Sequence, residues 1–192
     1  MNINEVMEDQ KLMNINLEED DLINYSFRNV IFENCIFTNV NFSKSEFIDV
    51  VFINSICVGC NFDKGYFSNT KINNCNFKGS NFTNSYIKYS EISKSNFNYS
   101  NFTSSKLDNV NINSSDFSNS FFAECILKSF KVAEVNFDYS EFFHTRLKGI
   151  DFSSSRVNAI SISSEKYELK GMIVNEAQAV NLSLLLGIKI KE

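Results

Sequence analysis

The chain has 192 residues and a net charge of −5, enough for one domain with a substantial core. It holds twenty Phe, no Pro and no Trp; no basic patch argues for direct nucleic-acid binding, and no apolar run reaches membrane length. The opening MNINEVMEDQ lacks the basic and apolar regions of a signal peptide, so a cytoplasmic location is expected, and five Cys without an export signal argue against a disulfide framework.

Residues 1–10 carry no repeat and are expected to form a cap or to fray. From Leu12 onward every fifth residue is apolar, through Leu17, Leu22, Phe27, Phe32, Phe37 and Phe42 to Val157, Ile162 and Tyr167. These 32 positions show no slip of phase; at 43% hydrophobic residues, chance gives such a run roughly once in 10^12. A second column lies two residues earlier. From Tyr25 to Ser155 it holds only Ser, Cys, Val, Thr or Gly, apart from Tyr25, Phe130 and Ile150.

A period of five fits neither the helical repeat of 3.6 nor the strand repeat of 2. It fits a chain that turns a corner every five residues, four corners closing a square coil of twenty. The large residue fills the interior, and the small one beside it avoids overpacking the corner. Successive coils then pair as short parallel strands and aromatic rings stack down each inner edge, as along Phe42, Phe62, Phe82 and Phe102. Crossover chirality favours a right-handed coil. The expected fold is all-β: a right-handed quadrilateral parallel β-helix over residues 11–170, of about eight coils and roughly 38 Å.

After Gly171 the stretch NEAQAVNLSLLLG reads as a helix, with Asn175 and Gln178 spaced as a capping box and Gly187 as its stop. Its apolar residues form two seams, Ala179, Leu182 and Leu186, and Ala177, Val180 and Leu184. One seam is expected to cover the open end of the solenoid and the other to meet a second copy. Residues 171–192 are therefore the expected dimerisation segment, with Leu182, Leu184, Leu185, Leu186 and Ile188 at the contact. The last residues, IKIKE, alternate as a short strand would.

Candidate chemistry is sparse. Cys57 and Cys60 form C-x-x-C, a spacing that serves redox or metal chemistry, but both fall on inward columns, as do Cys35, Cys75 and Cys125, which favours core packing. His144, the only His, lies outward. No catalytic constellation, phosphate loop or zinc spacing is present, so neither enzyme activity nor a cofactor or metal is expected.

Sorting charge by side is more informative. The side centred on Phe42 carries Asp20, Asp21, Asp63, Glu124 and Glu141 against two Lys. The side centred on Phe37 carries Glu18, Glu19, Asp116 and Asp138 against Lys78 and Arg156. The Phe32 side is neutral and the Phe27 side is basic. A rod with an acidic flank can present a line of negative charge to a basic DNA-binding groove. The bland alternative is a solvated surface.

The units SNFTN, SNFNY, SNFTS, SDFSN and CNFKG resemble the pentapeptide-repeat family, whose fold is the right-handed quadrilateral β-helix. Within it, three stretches resemble the Qnr-type quinolone-resistance proteins: FENCIFTNVNFSKSEF at 32–47, GCNF at 59–62, and the tail LKGMIVNEAQAVNLSLLLGIKI at 169–190. That resemblance implies a homodimer joined through C-terminal helices, a DNA mimic that binds DNA gyrase and topoisomerase IV and inhibits them, protects them from fluoroquinolones, or both. Many members of the group carry loops that break the five-residue phase; here the unbroken phase predicts loops that are absent or minimal. The alternative is an interaction scaffold or immunity factor with another protein partner.

Overall fold

The computed structural model describes residues 5–191. The chain winds into a four-sided parallel β-solenoid closed by one helix, Glu176–Leu185. Along most of the rod a residue pairs with the one twenty positions on: Phe27 with Phe47, Phe47 with Phe67, Tyr66 with Tyr86. The Phe27 and Phe32 sides carry three-residue strands such as Glu46–Ile48 and Val51–Ile53, joined in one twelve-stranded sheet through Ser26–Glu33. The Phe37 and Phe42 sides are held mostly by single bridges, such as Asn41 to Asn61 and Asn61 to Asn81. The strand-paired part makes about six turns, fewer than the eight coils counted from the period; bridges carry the remaining coils.

The interior is the expected column. Phe62, Phe82, Phe102 and Phe122 stack at centroid distances of 4.8, 4.8 and 5.0 Å with planes within 11°. The neighbouring Phe77, Phe97 and Phe117 stack at 4.9 and 4.7 Å. These spacings are the distance between strands, so the ladder sets the stack and each ring is packed on both faces.

The small column does more than make room. Its hydroxyls bond the corner: Ser45 Oγ donates to Leu22 C=O at 2.8 Å and accepts from Tyr25 N–H at 2.9 Å. Ser100 and Ser120 repeat the carbonyl contact to Phe77 and Phe97. Cys60 and Cys125 do it with Sγ, to Phe37 and Phe102 at 3.3 and 3.0 Å. A residue here must be small and, at most corners, hydroxylic or thiolic, because the corner N–H and C=O are otherwise unpaired.

Two further columns follow from the turn. Residues two after each centre have positive φ, from Asp9 (53°) and Asn34 (55°) to Tyr139 (63°) and His144 (58°). This left-handed position suits Asn, which explains its abundance. On the Phe42 side the residue one before the centre is Asn in four successive coils, 41 to 101; Asn41, Asn61 and Asn81 each accept the N–H two residues on at 3.1–3.2 Å, and Asn61 and Asn81 each donate to the Asn one coil below.

Four expectations are corrected. The coil starts before residue 11: the strand Val6–Met13 pairs with Ser26–Glu33 and Met7 is buried, so the segment 1–10 is not a separate cap, and its residues 1–4 lie outside the described residues. The phase does break. Phe142 N–H bonds Ser161 C=O in the usual register, but Leu147 N–H bonds Glu168 C=O and Phe152 N–H bonds Ile173 C=O, two residues late. Two extra residues therefore lie between Ser161 and Glu168, and Tyr167, the last member of the column, points outward. Ile188 and Ile190 are exposed and the IKIK stretch forms no strand within the described residues. Of the helix seams, neither is the covered face: Gln178, Leu182 and Leu185 turn to the solenoid, while Ala179 and Leu186 are exposed.

Candidate interaction surfaces

The helix docks through its cap. Asn175 Oδ1 accepts Gln178 N–H at 3.0 Å and Gln178 Oε1 accepts Asn175 N–H at 2.9 Å, the expected box. The same Gln178 then donates from Nε2 to Phe152 C=O and Ser155 C=O of the last coil, and Asn175 Nδ2 donates to Ser153 C=O. Gln178 thus closes the open ladder end, a role its spacing in a capping box does not announce. The expected dimer contacts divide: Leu182 and Leu185 pack inward, whereas Leu184, Leu186 and Ile188 are 60%, 47% and 50% exposed, with Val180 beside them.

The acidic set also divides. Glu18, Glu19, Asp20 and Asp21 are consecutive and all exposed at one corner of the first coil. Asp63 is half-buried and tied to Thr83 Oγ1 and Asn84 Nδ2 at 2.8 and 2.9 Å; burial raises its pKa, but these bonds and the nearby Lys64 and Lys44 outweigh it and the net direction is down. Glu124 accepts Ser104 Oγ at 3.1 Å, and Asp116 and Glu141 are half-buried on the later coils. Asp138 is corrected as a partner contact. It is 3% exposed and receives Arg156, Asn158 N–H and Asn158 Nδ2, so its charge is taken up by neighbours on the next coil of the same flank.

Charge is sorted along the axis more than around it. Residues 1–60 contain ten carboxylates against three cations, whereas the remaining residues carry thirteen against fifteen. The acidic flank is therefore strongest in the first three coils and is separated from Asp116, Glu124 and Glu141 by the neutral Asn rows.

All five cysteines are buried. Burial pushes the Cys60 and Cys125 thiols up to about 12 and Cys75 to about 11, and moves Cys57 well above the usual thiol range. Cys57 and Cys60 sit in different inward columns, as packing requires. His144 is exposed, its Nδ1 3.3 Å from Tyr167 Oη. Among the described residues, no group of three or more His, Cys, Asp or Glu is placed to hold a metal ion and no helix is long and apolar enough to cross a membrane.

A four-sided parallel solenoid with a small–polar–Phe–polar–polar unit defines the class. Two family models agree: a pentapeptide repeat region matches residues 25–102 and the pentapeptide repeats, eight copies, match 91–122, together just over half of the chain. The chain belongs to the pentapeptide-repeat family. Among solved structures it is similar to trypsin-treated QnrB1, a plasmid-mediated fluoroquinolone resistance protein, at 16% identity over 97% of this chain and 92% of that one, with a TM-score of 0.47. Full-length QnrB1 matches at 16% identity over 93% and 100%, TM-score 0.41. HetL of the cyanobacterium Nostoc sp. strain PCC 7120, involved in heterocyst differentiation regulation, matches at 9% over 86% and 85%, TM-score 0.28. A search of curated proteins gives no match.

Proposed function

We propose that the protein is a non-enzymatic DNA mimic that binds DNA gyrase, with topoisomerase IV as a second target, and that it acts in the cytoplasm as a homodimer joined by its C-terminal helices. It would inhibit the enzyme, protect it from fluoroquinolones, or both. The observation that carries this reading is the run Glu18–Asp21, four exposed carboxylates on a rigid corner at the head of the most acidic coils. Such a corner offers fixed negative charge to a groove built for phosphates. The tail likeness at 169–190 and the exposed strip of Val180, Leu184, Leu186 and Ile188 support the dimer.

A second reading, an interaction scaffold or immunity factor with another protein partner, is favoured by the neutral Asn rows that interrupt the acidic flank and by the burial of Asp138. A gyrase supercoiling assay with titrated protein, with and without a quinolone, separates them. Under the mimic reading, Lys at 18, 19, 20 and 21 weakens inhibition at least tenfold, while Lys88→Glu with Lys106→Glu leaves it unchanged. Equal effects of the two sets, or no inhibition by the wild type, sink the reading.

A further inference from the structure

The two bulky residues of the small column inside the solenoid, Phe130 and Ile150, stand one coil apart at the same corner. Neither can make the side-chain bonds that tie most of the other corners, and both are bulkier than the Ser, Cys, Thr, Val or Gly found at most of the rest. Among the described residues, no backbone hydrogen bond joins 126–134 to 146–154. The register would pair the N–H groups of Leu127, Ser129, Val132 and Glu134 with the carbonyls of Arg146, Lys148, Asp151 and Ser153. One coil below, the equivalent bonds exist: Asn109 N–H to Lys128 C=O at 2.8 Å and Ser114 N–H to Ala133 C=O at 3.0 Å. On the opposite sides they also persist, from Glu124 to Phe143 at 2.8 Å and Tyr139 to Asn158 at 2.9 Å. The rod is therefore open along two sides only. The interior adjusts with it: Phe130 is buried while Leu127 is partly exposed.

At this opening lies a cavity of ≈ 540 Å³ lined by Ile112, Phe130, Lys131, Val132, Ala133 and Gly149. Its floor is apolar and its rim is an unpaired strand edge, the combination by which an added strand gains both main-chain bonds and a side-chain anchor. Lys131 and Asp151 themselves line it; on the same two coils Lys128, which pairs with Asp108 at 3.7 Å, and Arg146 and Lys148, which flank Tyr167 and Lys170, are exposed, against Glu134. We propose that this opening docks an extended acidic peptide of a partner protein, which pairs with the free edge at Leu127–Glu134 and seats an apolar side chain against Phe130. This surface is distinct from the acidic corner and does not depend on the gyrase reading.

The test is a display selection of random nonapeptides on the full-length protein, followed by hydrogen exchange with one selected peptide synthesised with capped ends. Selected peptides are expected to alternate Asp or Glu with apolar residues, and to slow exchange of the Leu127, Ser129, Val132 and Glu134 amides at least tenfold. Phe130→Ser with Ile150→Ser restores the corner chemistry used elsewhere and should weaken binding at least tenfold. Lys131→Glu with Lys148→Glu, which leaves the core untouched, should do the same. A selection that yields no peptide, basic peptides, peptides that leave those amides unprotected, or peptides that bind both double variants as tightly as the wild type overturns the proposal.

Discussion

Removing the Glu168 carboxylate should unseat the C-terminal end of the solenoid, and the reason is a register count. In coils without the extra residues, the N–H two positions after a centre bonds the carbonyl nineteen residues on, as Lys44 bonds Asp63 and Glu124 bonds Phe143, both at 2.8 Å. For His144 that acceptor would be Ser163, but the two extra residues after Ser161 have carried it away. Glu168 turns inward, fully buried, and its Oε1 accepts His144 N–H at 2.9 Å and Ser163 N–H at 3.1 Å. Glu168→Ala leaves both donors without an acceptor, at about 1–3 kcal/mol each, so a loss of about 2–6 kcal/mol is expected by equilibrium denaturation at pH 7. Glu168→Gln keeps an acceptor oxygen and should lose about half of that.

The same group sets a pH signature. Burial raises the Glu168 pKa, but the Ser163 hydroxyl facing it, without a well-formed hydrogen bond, and the His144 and Ser163 N–H groups outweigh burial, and the net direction is down. A carboxylate lowered on folding contributes stability that is fully present above its unfolded value, about 4.3, and is lost as pH falls through the folded value. The wild type should therefore lose stability below about pH 4.5 more steeply than Glu168→Gln. Glu165 and His144 stand nearby, so Glu165→Gln and His144→Asn serve as the controls for their charges. A loss under about 0.5 kcal/mol for Glu168→Ala at pH 7, or identical acid limbs for wild type and Glu168→Gln, refutes the argument.

Phe82→Ala removes a ring held at 4.8 Å from both Phe62 and Phe102 and should cost about 3–5 kcal/mol, whereas Asn98→Ala, which loses a partly exposed side-chain bond, should cost about 1 kcal/mol or less in the same denaturation experiment. Leu184→Lys with Leu186→Lys should give monomers by sedimentation at micromolar concentration without loss of thermal stability in the monomer, whereas Leu182→Lys should destabilise the cap first, because Leu182 is buried against the solenoid.

What the sequence announced and what it hid have separate causes. The Phe column and its small partner were legible because a period of five excludes helix and strand, and the coil length of twenty then follows from closure. Tyr167 misled because it is apolar at the expected position while the backbone beneath it had already gained two residues; the charged Glu165, Lys166 and Glu168 around it were the available signal. The left-handed column was readable as Asn two places after the centre. Asp138 was misplaced because outward was inferred from its pentapeptide alone. A twenty-residue coil puts Asn158 directly above it, and Arg156 beside Asn158, so its burial could have been found by comparing neighbours one coil apart. Phe130 and Ile150 stood out as exceptions, but their effect on the ladder needed coordinates, since the small column was read as volume and not as hydrogen bonding.

A perfect repeat can build only a uniform ladder, so whatever distinguishes one rod from another must sit where the repeat fails or in the residues that face outward. Here those features are ordered along the axis: acidic corner first, opening beside Phe130 and Ile150 next, register shift at Glu168, docked helix last. Between residues 20 and 130 lie about five and a half coils, or roughly 26 Å at the strand spacing, more than two screening lengths in 0.1 M salt. Charge reversal at Glu18–Asp21 should therefore leave peptide affinity at the Phe130 opening unchanged, and Lys131→Glu with Lys148→Glu should leave supercoiling inhibition unchanged, with the combined variant showing the sum of the two effects. A measured coupling beyond about 0.5 kcal/mol would mean that the two surfaces serve one partner spanning most of the rod.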